Sequence, residues 1–429
     1  MIHRIEILPG ANSALLLAPT GVAANNIGGA TIHSALHVHT LSTIFTDLTG
    51  ESLMQFQQSM QNIRYVIIDE MSMLGLNLLL KIDQRLRQAK PESADVQFDG
   101  LFVYLFGDFA QLPPVGDKPL YSTVYLNHHV QAKALYLSFK KAFILTSIMR
   151  QVGDDQIQFK HVLFHIANGC IDMDDYNLIS TRFLENNYDL REIFNDSVHL
   201  MGKNVDIDEF NYRKLQDSNL PEKHNNATAA SATQDEAQGL VSNLYLSVGT
   251  KVILRKNLWT DKGLCNGSIG IITDIIYKEN SEVDSYYEAM PICILVEFEK
   301  YTGPTFIANS IPIVPLSDSK KNIACTRKQF SLAVAYAISI HRSQGVTLDK
   351  AVVNIGNSEF AVGLKYVAFS RFTYFNISRL IQINNKKAMV ERCQEFINFE
   401  AMNRYLKRCE LPIFMPQTCT LLFLFRTLW

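Results

Sequence analysis

The chain carries no excess of basic charge, no paired-cysteine motif, no membrane-length apolar run and no phosphate loop. Its 40 Lys and Arg are matched by 42 Asp and Glu, a net charge of −2. That excludes a uniformly basic nucleic-acid wrapper; contact with nucleic acid would need a local groove. The cysteines (Cys170, Cys265, Cys293, Cys325, Cys393, Cys409, Cys419) are scattered, odd in number and form no C-x-x-C pair. A zinc ribbon and a disulfide scaffold are therefore not expected, and free thiols fit a reducing, intracellular compartment. The ending CTLLFLFRTLW is apolar but short of the roughly 20 residues that span a bilayer, so no membrane partner is expected. The start MIHRIEILPG lacks an apolar stretch followed by a cleavage site. No G-x-x-x-x-G-K-[ST] loop occurs anywhere in the 429 residues.

What is present is ordinary globular material, 47% hydrophobic and 19% charged, enough for several cores. No internal repeat is visible at the usual periods. The runs at Ala14 to Ala18, Tyr65 to Ile68 and LFVYLFGD read as buried strands, with a helical pattern from Leu76 to Arg87 between the last two. Continuous apolar strands spaced by helices predict α/β architecture with a parallel sheet covered on both faces. The stretch PTGVAANNIGGATIHSAL reads as turn, helix, turn, helix. Residues 147–215 read as helical and polar, and residues 224–238 as an exposed loop. From Val248 to Phe306 the pattern turns to β, as a small barrel, before α/β alternation resumes with AVVNIG, GLKYVAFSR and RLIQI.

Polar signatures sit at the ends of these elements. Asp69 and Glu70 close an apolar strand in VIIDEMSMLG. One carboxylate there can hold magnesium while its neighbour orients a water, the two needs of triphosphate hydrolysis. A surface acidic pair closing a strand would read the same way. Gln111 in FGDFAQLPPV is an uncharged group suited to sensing a γ-phosphate, with Pro113-Pro114 stiffening the exit. Arg150 in LTSIMRQ and Arg371 in YVAFSRFT are phosphate-clamp candidates; either one alone reads first as a surface charge, and what tips the reading is YVAFSRFT, where Arg371 caps an apolar helix. Thr20, Gly21, Thr31 and Ser34 offer backbone amides and hydroxyls to strand phosphates. His33 and His37 lie one helical turn apart but have no third metal ligand, so His33 is read as stacking or bonding locally. His341, Arg342, Ser343 and Gln344 precede Gly345 in a polar turn suited to coupling nucleic acid to a triphosphate. Tyr336, Phe360 and Tyr366 are stacking candidates, with core filling the simpler role for each.

Taken together, these segments resemble the Pif-one-like DNA helicases, the RecD-related branch of superfamily one. The match runs from about Leu15 to Ile383, through LLLAPTGVAANNIGGATIHSAL, VIIDEMSMLG, FGDFAQLPPV, LTSIMRQ, GLCNGSIGII, AYAISIHRSQGVTLD and YVAFSR in that order. The resemblance implies two RecA-like parallel-sheet domains, the second with a small β-barrel insertion. It places the first domain at residues 1–146 with a wedge near 38–62, the second at 147–257 and 323–400, the barrel at 258–322 and a tail at 401–429. It implies an ATP-dependent 5′ to 3′ helicase serving DNA repair, recombination and telomere or genome maintenance, in the nucleus or mitochondrion. ATP and magnesium would be its cofactors, single-stranded, forked or duplex DNA its partner, and the monomer its working state.

In that frame Asp69 serves magnesium, Glu70 the attacking water and Gln111 the γ-phosphate, with Arg150 and Arg371 reaching toward it. Thr20, Gly21, Thr31, His33, Ser34 and His341 to Gln344 touch the DNA strand or relay to it, and Gly345 borders the nucleotide. Two departures matter. Arg342 stands where a lysine is common in the family. Only MIHRIEILPGANSA precedes LLLAPTG, so the family's first strand, glycine-rich loop and lysine are expected to be absent, leaving the sheet short of a central strand. Weak or no ATP binding is then expected from this chain as written. A non-catalytic nucleic-acid-binding remnant is the alternative. A recombination exonuclease subunit is disfavoured by the lack of a nuclease-type acidic cluster.

Overall fold

The computed structural model describes residues 13–38, 45–124, 126–145, 150–151, 153–183, 192, 194–217, 223–226, 243–277, 290–319, 326–344, 348, 350–355, 363–372, 379–383 and 421–424. Two compact units emerge: residues 1–191 with 344–429, and residues 192–343.

The first unit opens with strand β1 (Ala14–Ala18), helix α1 (Gly21–Asn26), the short β2 (Ala30–Thr31) and helix α2 (Ile32–Ala35). Both helices start where the sequence offers a hydroxyl. Thr20 Oγ1 accepts from Ala23 N–H and Thr31 Oγ1 from Ser34 N–H, each at 3.2 Å. Next come α3 (Gly50–Met60), β3 (Tyr65–Ile68), α4 (Leu76–Leu86), β4 (Phe102–Gly107), α5 (Val130–Leu137) and β5 (Lys141–Ile144). Helix α4 buries Leu76, Leu79, Ile82 and Leu86 completely, the apolar stripe its periodicity predicts. Its free N-terminal amides are met from a distance: Asp117 accepts from Asn77 and Leu78 N–H at 3.3 and 3.2 Å. Helices α6 (Ile157–Asn168) and α7 (Met173–Ser180) follow. Gly169 ends α6 at φ 68°, and Asp172 and Asp175 cap α7 reciprocally.

The second unit contains β6 (Val198–Met201), α8 (Asn204–Asp217), β7 (Lys223–Asn226), β8 (Asn243–Leu246) and β9 (Lys251–Leu254). It continues with β10 (Ile269–Ile276), β11 (Cys293–Phe298), β12 (Ile311–Ile313), β13 (Leu316–Ser319), β14 (Thr326–Gln329), β15 (Leu332–Val334) and β16 (Ala337–Ser339). β6 and β16 are parallel neighbours, and α8 lies against β16. Asn211 on α8 clamps that strand: its side chain accepts from Ala337 N–H at 2.7 Å and donates to the carbonyls of Ala337 and Val334. β12, β11, β10, β9 and β15 form an antiparallel sheet in that order, its core built on Val252, Leu254, Ile272, Ile294, Val296 and Phe330. The segment expected as a barrel thus contributes β10 to β12 to a five-stranded sheet that also takes β9 and β15. The loop expected at residues 224–238 begins instead inside β7, which pairs antiparallel with β8; residues 227–238 lie outside the described set. KHNN carries no apolar alternation, so its pairing left no mark in the pattern.

The chain then re-enters the first unit with β17 (Ala351–Ile355), α9 (Leu364–Ser370), β18 (Arg379–Ile383) and β19 (Leu421–Leu424). β17 and β18 are parallel, and α9 packs on α6. The main sheet runs β2-β1-β3-β4-β19-β5, all parallel. Leu17, Val66, Ile68, Val103 and Leu105 point to one face, a core shared with α3, α4 and α5. Ile67 and Phe106 pack with Leu16 and Tyr104 on the other. The expected gap in this sheet is corrected here: the position between β4 and β5 is held by the tail strand β19. Among the described residues no helix is long and apolar enough to cross a membrane.

Candidate nucleotide-hydrolysis site

At the carboxyl ends of β3 and β4 the backbone is shaped to deliver polar groups. Asp69 N–H donates to Leu17 O at 2.9 Å, carrying the ladder one step past β3. Glu70 then takes a left-handed conformation, φ 52°, ψ 49°, and starts a short 3-10 turn. A non-glycine residue held there is strained, a state that recurs at functional sites. Gly107 makes the turn possible. A Cβ at this glycine would come within 2.6 Å of Met71 N, and its φ of 148° also disfavours a side chain. Burial raises Asp69 from 3.8 to about 7, with the adjacent Glu70 charge adding to the effect. A divalent cation beside the pair would reverse that shift.

Asp108 follows β4 wholly buried. It accepts from Ala110 N–H at 2.9 Å, with the buried Tyr366 beside it. Burial raises it to about 7, against the pull of Arg371. Gln111, in the same turn, accepts from Arg371 Nη2 at 3.5 Å. Arg371 is 2% exposed and donates from Nε to Val367 O at 3.2 Å. Burial, then the like charge of Arg150, brings it down to about 10. Arg150 donates to Ser370 O at 2.7 Å, and burial lowers its pKa too. Gln151 beside it donates to Phe372 O at 2.7 Å. Gly363, at the head of α9, lets that helix approach the same turn: a Cβ there would meet Ala110 O at 2.7 Å.

Gln344 is buried and donates to Glu70 Oε2 at 3.1 Å and Ser72 Oγ at 3.4 Å. A residue expected at the DNA strand thus hydrogen-bonds a carboxylate of the acidic pair. Asp69, Glu70, Gln111, Arg150, Arg371 and Gln344 all belong to the first unit, and hydrogen bonds link Glu70 to Gln344, Gln111 to Arg371, and Arg150 to the end of α9.

The residues expected on DNA fall in two places. Thr20 and Thr31 use their hydroxyls as helix caps, Gly21 is buried, His33 is half-buried and Ser34 is exposed. Burial, with the charge of Lys81, lowers the His33 pKa. His37 is exposed at φ 49°. His341, Arg342 and Ser343 lie on a 3-10 turn of the second unit. There Ser343 bonds Ile340 O, and burial lowers His341 and Arg342, with Asp208 opposing the shift at Arg342. Gly345 and Phe360 lie outside the described residues. Tyr336 is half-buried, and Tyr366 is core.

Sequence reading missed Arg85. It is 2% exposed and donates to Leu36 O at 2.8 Å, Thr46 O at 2.9 Å and His37 O at 3.3 Å, fastening α2 to α4. An arginine in the last turn of an amphipathic helix is too common to signal that role. The role of Asp108 was also missed, although it stood inside the quoted FGDFAQ.

Family models match two parts of the chain: PIF1-like helicase over residues 2–177, and the 2B domain of DNA helicase Pif1 over residues 236–275. The chain is similar to the ATP-dependent DNA helicase Pif1 of Campylobacter jejuni, 29% identical over 387 residues, covering 86% of this chain and 82% of that protein. Human ATP-dependent DNA helicase PIF1 is 28% identical over 367 residues, covering 82% of this chain and 52% of its own length. The chain thus spans about half the length of the vertebrate relatives it matches. Among solved structures, Bacteroides Pif1 helicase in complex with ADP-AlF3 and single-stranded DNA aligns with TM-score 0.65 at 25% identity, over 94% of this chain and 90% of that one. A structure of two coordinating Pif1 helicases at forked double-stranded DNA has the same fold, with TM-score 0.67 at 24% identity over 94% and 90% of the two chains. The α/β architecture is accordingly RecA-like, and with motif order, both family models and the fold in agreement, the chain belongs to the PIF1-like helicase family.

Proposed function

We propose that this chain carries the hydrolysis and strand-binding parts of an ATP-dependent DNA helicase moving 5′ to 3′. The observation that carries the reading is the convergence of Glu70, Gln344, Gln111, Arg371 and Arg150 through hydrogen bonds between segments far apart in sequence. Two neighbouring carboxylates and two cations depressed by burial are a donor set that fits the γ-phosphate end of a magnesium nucleotide. Asp69 would hold the metal, which when bound supplies charge for the developing phosphate oxyanions. Glu70 orients the attacking water. Gln344 holds Glu70 in place. Gln111 and Arg371 act as one unit, so a γ-phosphate that draws Arg371 also moves the Gln111 turn. Arg150 supplies the second cation.

We further propose single-stranded, forked or duplex DNA as partner, engaged one protomer at a time, in repair, recombination and telomere or genome maintenance in the nucleus or mitochondrion; the Pif1 helicases solved on single-stranded and forked DNA support the DNA partners. We expect this chain to bind single-stranded DNA, and any DNA-stimulated ATP turnover it supports to require Glu70. The test pairs fluorescence-anisotropy titration of single-stranded DNA at several salt concentrations with ATPase assays, using Glu70→Gln as control. Salt-dependent binding is expected, with DNA-stimulated turnover lost in Glu70→Gln. DNA-stimulated turnover unchanged by Glu70→Gln would overturn the hydrolysis assignment. Absence of DNA binding would overturn the strand-binding assignment.

A further inference from the structure

The apolar tail, which no motif explains, has a defined place in the main sheet. β19 lies between β4 and β5 and runs parallel to both. Leu421 registers with Tyr104 and Lys141, and Phe423 with Phe106 and Phe143. Leu422 registers with Leu105 and Ala142, and Leu424 with Gly107 and Ile144. β4 and β5 are not neighbours in the strand order, so within the described sheet β5 is joined to β4 through β19. Without it, β4 and β5 would each present an open row of N–H and C=O groups, an arrangement folded proteins avoid for interior strands.

The sequence suits the slot. Residues 421–425 read LLFLF, an unbroken apolar run. Such a run fits a parallel strand covered on both faces and is a poor exposed edge, where alternation or charge is the rule. The neighbouring strand β4 is itself interior, with Val103 and Leu105 fully buried.

We propose that β4 and β5 form a strand-accepting slot whose ligand is the chain's own segment Leu421–Leu424. The slot recognises an extended, uncharged, apolar peptide through main-chain hydrogen bonds, a mode used in strand addition. Its occupant anchors β5. The inference concerns the sheet alone and stands whether or not the carboxylate site hydrolyses ATP.

The test is amide hydrogen exchange read by mass spectrometry on the full chain. In the parent, amides of 421–424 and 141–144 exchange at least about 100-fold slower than an unfolded peptide. Phe423→Pro removes a ladder donor and fixes φ in a strand bonded on both sides. It releases protection at 421–424 and 141–144 while 65–68, bonded to β1 and β4, keeps its protection. Phe423→Leu retains all three. Two results would overturn the proposal: parent amides at 421–424 exchanging at the unfolded rate, or Phe423→Pro leaving 141–144 as protected as before. The parent measurement decides by itself if the proline variant fails to fold.

Discussion

Replacing Arg85 by methionine tests how α2, which carries the strand-binding candidates Thr31, His33 and Ser34, is held. Methionine keeps the stem and removes every donor. Three carbonyls lose a charged partner: Leu36 O, His37 O and Thr46 O. Thr46 and His37 are exposed, so water can replace the guanidinium at both carbonyls. Leu36 is fully buried, and its carbonyl loses roughly 1.5–3 kcal/mol as a charge-assisted bond. Packing of the guanidinium on Phe45, at 4.7 Å from the ring centroid, adds about 1 kcal/mol. Against this, burial already lowers the Arg85 pKa, and an apolar side chain escapes that desolvation, recovering about 1–2 kcal/mol. The expected net loss is about 1–3 kcal/mol in urea unfolding. It should come with faster exchange of the amides in residues 32–38 and weaker binding of single-stranded DNA. Arg85→Lys should keep the charge but lose the fork and fall between the two. A loss below about 0.5 kcal/mol with unchanged exchange in residues 32–38 would refute the claim that Arg85 fastens this helix.

Three further outcomes are expected. Burial raises Asp108 from 3.8 to about 7, so between about pH 4 and pH 7 the folded chain keeps a proton that the unfolded chain releases, and stability falls as pH rises through that window. Asp108→Asn removes this slope; relative to the parent it gains roughly 4 kcal/mol between about pH 4 and pH 8, read from urea midpoints at each pH. Gly107→Ala drives a methyl to 2.6 Å from Met71 N at a φ that side chains avoid, so a loss of roughly 2–5 kcal/mol and a clear drop in Tm are expected; an unchanged Tm would mean the Glu70 turn yields freely. Gln344→Glu sets a second carboxylate against Glu70 in place of a 3.1 Å hydrogen bond, which should destabilise the first unit by about 1–3 kcal/mol at neutral pH and by less in acid.

Interior strands announced themselves. β1, β3 and β4 are parallel and covered on both faces, so each had to be an unbroken apolar run, and each was legible with its boundaries nearly right. The site was legible in part for the same reason, since Asp69, Glu70 and Gln111 stand just past two such runs. Strand β7 was not legible, because KHNN is bonded through its main chain and carries no apolar pattern. Gln344 was legible as a polar oddity in HRSQG but not as the partner of Glu70, which lies 274 positions away.

The sequence by itself determined the chemistry on offer: an acidic pair closing a strand, a glutamine after the next strand, two arginines, and no phosphate loop. These are local facts, set by residue type and short-range periodicity. Only the tertiary structure decided which groups meet. It placed Gln344 on Glu70, Arg371 on Gln111, and Arg85 on the end of α2. It also put the tail strand between β4 and β5. The physical reason is that an apolar run states only that a strand is buried. Which strand edge it satisfies is fixed by main-chain hydrogen bonds that every sequence can make, and by which slot the rest of the sheet leaves open.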